Sequence, residues 1–118
     1  MARYRLSGPA KADIAEALRT SEIRHGGDAR IRYRGLLAAA LRRIAADPLG
    51  RSTSDRGELL AGLRSFHIRD GRNDSLEAPV GAPVHVIFYR AIEPGLVEIV
   101  RVLHERMEPG GRVRGDQE

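Results

Sequence analysis

The chain has 118 residues, 20 Lys or Arg against 16 Asp or Glu for a formal charge of +4, and no cysteine. That length suits one domain burying about two-thirds of its unfolded surface without staples, and the missing Cys excludes disulfides, thiolate metal sites and cysteine nucleophiles. The amino terminus has no apolar leader core, and no apolar run approaches the roughly 18 residues that span a bilayer, so a cytoplasmic protein with no membrane partner is expected.

Lys11 is the only lysine, so the basic charge is almost all arginine. Arginine's planar fork suits phosphates, carboxylates and stacked bases, which favours an acidic partner. Codon usage explains the same excess equally well.

Tyr4-Arg5-Leu6 alternates and stops at the breaker cluster Ser7-Gly8-Pro9, which predicts a first strand. A helix follows, with Ser7 as N-cap, Pro9 in the first turn, and Asp13 and Glu16 where the helix dipole favours acid. Ala10, Ile14, Ala17, Leu18 and Ser21 form its apolar stripe, opposite Lys11, Glu16 and Arg19. The helix should stop near His25-Gly26-Gly27, and Asp28 is placed to cap a second helix running through Ala46. Tyr33, Leu36, Leu37, Ala40, Leu41 and Ile44 form the apolar face of that helix, while Arg30, Arg34, Arg42 and Arg43 line the rest. Asp47-Pro48 ends it, because the residue before a proline leaves the α region. The pair reads as an antiparallel hairpin that needs a sheet to cover it.

Residues 48–55 read as turns and 58–62 as a connector. Leu63 to Ile68 alternates as a strand, and 70–83 reads as a long, mobile hairpin loop. Val84 to Arg90 and Leu96 to His104 then form a hairpin about Glu93-Pro94-Gly95. In its first strand Val84, Val86 and Phe88 oppose His85, Ile87 and Tyr89. In its second, Val97, Ile99, Arg101 and Leu103 oppose Leu96, Glu98, Val100, Val102 and His104. Helices should cover one face of this sheet, leaving a partly covered, polar-studded surface on the other. The expectation is an α+β domain over 1–108, a strand, a helical hairpin and a three-stranded antiparallel meander, with a disordered tail over 109–118.

Taken together, Ser7, Pro9 and Ala10 after the first strand, Ala39 to Asp47 with Pro48 and Gly50-Arg51, Gly62-Leu63-Arg64-Ser65-Phe66, His85 to Arg90 and Ile99 to Met107 resemble the ParE branch of the ParE/RelE toxin superfamily. The match runs nearly end to end and rests on order and spacing, since each motif alone is weak. The 70–83 loop is longer than in the shortest members. The resemblance implies a helical hairpin on a small, mostly antiparallel sheet, and a toxin held inactive by a ParD-like antitoxin whose disordered carboxy-terminal segment folds onto it. ParE-like members poison DNA gyrase, whereas RelE-like members cleave mRNA on the ribosome.

Cleavage through a 2′,3′-cyclic phosphate needs a base, an acid and cations for the phosphorane. The candidates are His104 or Glu105 as base or acid, Tyr89 as a weak acid, and Arg64, Arg90 and Arg101 as clamps, but they lack the spacing of a catalytic set. His104 reads more simply as a strand-end surface residue, His85 as a half-buried strand residue, and Tyr89 as either core or a stacking platform. Arg101, set among apolar residues, either pairs with a carboxylate or meets a partner; Glu98 lies on the opposite face. His25 and His67 lack paired ligand spacing, so no metal is expected. Without a phosphate-cradling glycine loop or nucleophile elbow, no cofactor is expected either. The reading favoured is a toxin that acts by binding gyrase through Arg101, His104, Glu105 and Arg106, with ribosomal mRNA cleavage as the alternative. The antitoxin is expected to lay an acidic amphipathic segment over the helix hairpin and a sheet edge, near Arg30, Arg34 and Arg42; on those arginines a plain solvated face is the competing reading.

Overall fold

The computed structural model describes residues 2–74, 80 and 82–114; the middle of the expected loop (75–79 and 81) and the last four residues lie outside them. The elements are β1 (Arg3–Leu6), α1 (Gly8–His25), α2 (Gly27–Ala46), β2 (Thr53–Asp55), β3 (Arg64–His67), β4 (His85–Glu93), β5 (Leu96–His104) and α3 (Pro109–Arg114), with one 3-10 turn over Ile68–Gly71. The strands form one mixed sheet in the order β1-β5-β4-β3-β2. β1 runs parallel to β5, and the other neighbours are antiparallel.

Two elements go beyond the expected strand, helical hairpin and three-stranded meander. β2 makes the meander four-stranded, pairing Thr53, Ser54 and Asp55 with Phe66, Ser65 and Arg64. Its three polar residues offer no apolar alternation to reveal an edge strand. The segment from Pro109, expected to be disordered, turns into α3 because Val113 finds an apolar seat and is 1% exposed. Order there comes from tertiary burial that the polar local composition hides.

Ser7 caps α1 as expected, accepting from the Ala10 amide at 3.0 Å. Asp28 does not cap α2. Gly26 ends α1 and begins α2 at φ 94°, a left-handed value that glycine tolerates, and Asp28 sits in the first turn instead. Asp13 and Glu16 lie past the first turn of α1, which begins at Gly8, so the helix dipole is not what places them.

The hairpin covers one face of the sheet. Leu18, Leu36, Leu37, Ala40 and Ile44 pack there with Phe66, Ile87, Tyr89, Val97, Ile99 and Val102. The other face is more apolar than expected: Leu63, Phe88, Val100 and Leu103 form a second cluster closed by Val113 of α3, with Leu59 and Leu60 beside it. Phase along β5 explains the difference. Tyr89 pairs with Ile99 and Phe88 with Arg101, which leaves Val100 as a bulge. Past it the alternation inverts, so Val102 joins the helix side and Leu103 the far side.

Candidate functional site

β4 and β5 place the chemistry-bearing side chains in two groups, one along the β5 edge and one at the far end of the strand pair. β1 stops opposite Ile99, so beyond that point β5 keeps β4 on one side and has no strand on the other. α1 takes over. The Ser7 amide donates to the Ile99 carbonyl at 3.0 Å, and the Ser7 hydroxyl donates to the Val100 carbonyl at 2.8 Å. Oδ2 of Asp13 accepts from the Val102 amide at 2.9 Å and from Nε of Arg101 at 2.7 Å, while Oδ1 accepts from Nη2 of Arg101 at 2.9 Å. A single carboxylate thereby ends the ladder and binds an arginine fork-to-fork. Nη1 of Arg101 also donates to the Arg112 carbonyl at 3.0 Å, tying α3 to the same strand.

At the far end, His85 and His104 are cross-strand partners with rings edge to face, 5.8 Å between centroids. The Val84 amide donates to the Tyr33 hydroxyl at 3.1 Å, and that oxygen lies 2.7 Å from Nδ1 of His85. Burial pushes Tyr33 up to about 12 and His85 down to about 4, the nearby His104 adding to the fall, so both are neutral at pH 7. The arrangement that serves every group has Tyr33 donating to Nδ1, leaving the His85 proton on Nε2. Nδ1 of His104 likewise accepts from the Arg106 amide at 3.1 Å, which places the ring proton on Nε2. His67 repeats the pattern, with Nδ1 accepting from the Arg69 amide and Nε2 donating to Oε1 of Glu105 at 2.7 Å. That bond, more than Arg69 at 3.8 Å, holds the Glu105 carboxyl below its usual range.

The candidates for RNA cleavage do not converge. Tyr89 is fully buried, its hydroxyl donating to the Pro48 carbonyl, and burial raises its pKa, so it is core rather than a stacking platform. Arg64 donates from Nη2 to Thr53 at 2.8 Å, while its Nε is buried without an acceptor among the described residues. Both lie toward the β2 side, about four residues, or roughly 13 Å, along β4 from the His85–His104 pair. Arg90 pairs with Glu98 at 3.3 Å and Arg101 is held by Asp13. Arg106 and Glu105 are exposed just past β5.

On the hairpin, Arg30 pairs with Glu22 at 2.8 Å and Arg43 with Asp74 at 3.0 Å. Arg34 and Arg42 are exposed and have no ion-pair partner among the described residues, and Ile23 and Ile31 stand out near the hairpin tip. No cluster of His, Asp or Glu among the described residues could hold a metal ion, and no described helix is long and apolar enough to cross a membrane. The sequence pattern placed Asp13 by the helix dipole, Tyr33 on an apolar face and His67 outside any metal site, and made none of them a site residue. The available signal for Asp13 was its place beside Ile14, one turn after Ala10, on the buried stripe of α1.

A family model described as the ParE toxin of type II toxin-antitoxin system, parDE, matches residues 4–109. Toxin ParE1 of Mycobacterium tuberculosis strain CDC 1551 / Oshkosh is 33% identical over 107 residues, which cover 90% of this chain and 92% of that protein. Toxin ParE1 of strain ATCC 25618 / H37Rv matches with the same identity and coverage.

Proposed function

This chain belongs to the ParE toxin family of type II toxin-antitoxin systems, and on that premise we propose that it stops growth by binding DNA gyrase and trapping its cleaved-DNA intermediate until a cognate antitoxin neutralises it. The observation that favours binding over RNA cleavage is the dispersal of the acid, base and cation candidates: Tyr89 in the core, Arg64 on the β2 side, Arg101 on Asp13 and His104 at the strand end. General acid–base catalysis needs those groups within hydrogen-bond reach of one substrate. His104, Glu105 and Arg106 form the proposed target-contacting run, while Arg101 acts through the position it gives the end of β5. The antitoxin is proposed to supply an acidic amphipathic segment that binds the helical hairpin.

The deciding test is a supercoiling and DNA-cleavage assay with gyrase, relaxed plasmid and ATP, using chain released from its antitoxin, refolded and checked by circular dichroism. Lost supercoiling with cleaved plasmid is expected, and Arg106→Glu should relieve it without unfolding the protein. An untouched gyrase reaction with folded protein would overturn the proposal. Primer extension on translated messages would then look for codon-positioned cuts.

A further inference from the structure

A cleft of about 480 Å³ opens where the second half of α1, the start of α2 and the ends of β4 and β5 meet. Alanine and valine side chains form much of its wall. Its ionisable lining among the described residues is Arg24, His25, Arg32, Tyr33, His85 and His104, with no carboxylate. The tautomers fixed by the Tyr33 hydroxyl and the Arg106 amide leave His85 and His104 each with one remaining donor, Nε2–H. Neither donor has an acceptor among the described residues, and neither Arg24 nor Arg32 has an ion-pair partner there. Two guanidinium groups and two imidazole N–H groups around an apolar hollow, with the Thr20 and Ser21 hydroxyls beside them, form a site rich in donors and without a carboxylate among the described residues.

We propose that this cleft is the anchor point for the antitoxin, receiving a carboxylate-bearing side chain flanked by apolar residues, with Arg24 and Arg32 holding the carboxylate and His104 closing on it. This rests on the antitoxin reading above and names the surface used. Charge complementarity selects the occupant: carboxylates supply the missing acceptors, and small apolar residues beside them fill the alanine and valine walls. The outer arginines Arg34 and Arg42 lie on another face of α2 and serve as the solvated rim, where ion pairs contribute little.

The test is a binding titration of the refolded chain with its full-length cognate antitoxin, comparing Arg24→Glu/Arg32→Glu with Arg34→Glu/Arg42→Glu. Circular dichroism and thermal melts confirm folding, and Arg24→Gln/Arg32→Gln is the milder substitute if the reversal unfolds. At least a hundredfold weaker binding is expected for the cleft reversal, about tenfold for the neutral pair, and less than tenfold for the outer reversal. Antitoxin should also move the His85 and His104 Nε2 resonances in a histidine-labelled sample. Unchanged affinity in the folded cleft variants would overturn the proposal; if the outer reversal then weakened binding, antitoxin recognition would stand with its surface elsewhere. Movement of those resonances with inorganic phosphate but not with antitoxin would also overturn it, assigning the cleft to a small anion.

Discussion

Arg101 on the β5 edge and His85 at the far end of the neighbouring strand have had their hydrogen-bonding capacity disposed of in opposite ways. Arg101 meets both oxygens of Asp13 and a carbonyl of α3, so its charge stabilises the joint between sheet and helices. His85 is fixed by Tyr33 and left with one donor on a ring that lines a cleft with no carboxylate among the described residues. A satisfied polar network specifies a fold, whereas oriented donors without acceptors leave work for a partner. The sequence left Arg101 open between a carboxylate and an outside partner, with the favoured reading placing it among the gyrase contacts; the Asp13 pair is the first of those two.

The largest expected effect falls on the satisfied side. Asp13 and Arg101 side chains are only 14% and 20% exposed, so Asp13→Ala takes the carboxylate from a buried guanidinium and from the Val102 amide together. A loss of about 3–5 kcal/mol in urea unfolding is expected, the range for breaking one side of a buried pair. Arg101→Met should cost less, because the orphaned carboxylate keeps the Val102 amide and the methionine stem keeps its packing. If Arg101→Met left stability unchanged yet abolished toxicity, the contrast between the satisfied edge and the cleft would collapse and Arg101 would return to the target-contacting set.

On the other side, His85 links the cleft to pH. Its folded pKa of about 4 lies below the ordinary 6.5, so between those values the unfolded chain binds more protons than the folded one. Stability therefore falls as pH drops from 6.5 toward 4, by about 2 kcal/mol after allowing for partial solvation of the ring. Glu105 also loses stabilisation on acidification, but its depressed pKa places that loss below 4.5, a separate window. Denaturation midpoints measured from pH 7 to 4 should flatten in His85→Gln. A wild-type profile with no slope above pH 4.5 would mean the ring is not held neutral by burial.

Tyr33→Phe comes next, at about 1–2 kcal/mol, since it leaves the Val84 amide and His85 Nδ1 without their partner. It also frees the imidazole to change tautomer, so nitrogen shifts of His85 should move toward a mixture. Unmoved shifts would remove the argument that Tyr33 aims the ring.

Much of this was legible in local pattern. Helical spacing placed Leu36, Leu37, Ala40 and Ile44 on one buried stripe, and Pro94-Gly95 fixed the hairpin turn, Gly95 taking φ 80°. What escaped depended on contacts distant in sequence. Asp13 and Arg101 are 88 positions apart, and only the end of β1 at Leu6 makes a carboxylate necessary there. The Val100 bulge inverted the faces of half a strand, which no alternation count registers. In the same way the cleft needs four elements to assemble, and Arg24, Arg32 and His104 carry no shared spacing before they do.

The smallest effect, about 1 kcal/mol, separates helix from sheet within one residue. Ser7 accepts from the Ala10 amide as a cap and donates to the Val100 carbonyl as an edge-strand substitute. Ser7→Ala removes both bonds. Ser7→Asp keeps an excellent cap but cannot donate, and it sets a carboxylate against a carbonyl, so its stability should fall between alanine and serine. Aspartate as stable as serine in the same unfolding assay would show that the Val100 bond adds nothing. The β5 edge would then depend on Asp13 alone, and the contrast between a shared, redundant edge and an open cleft would narrow to a single carboxylate.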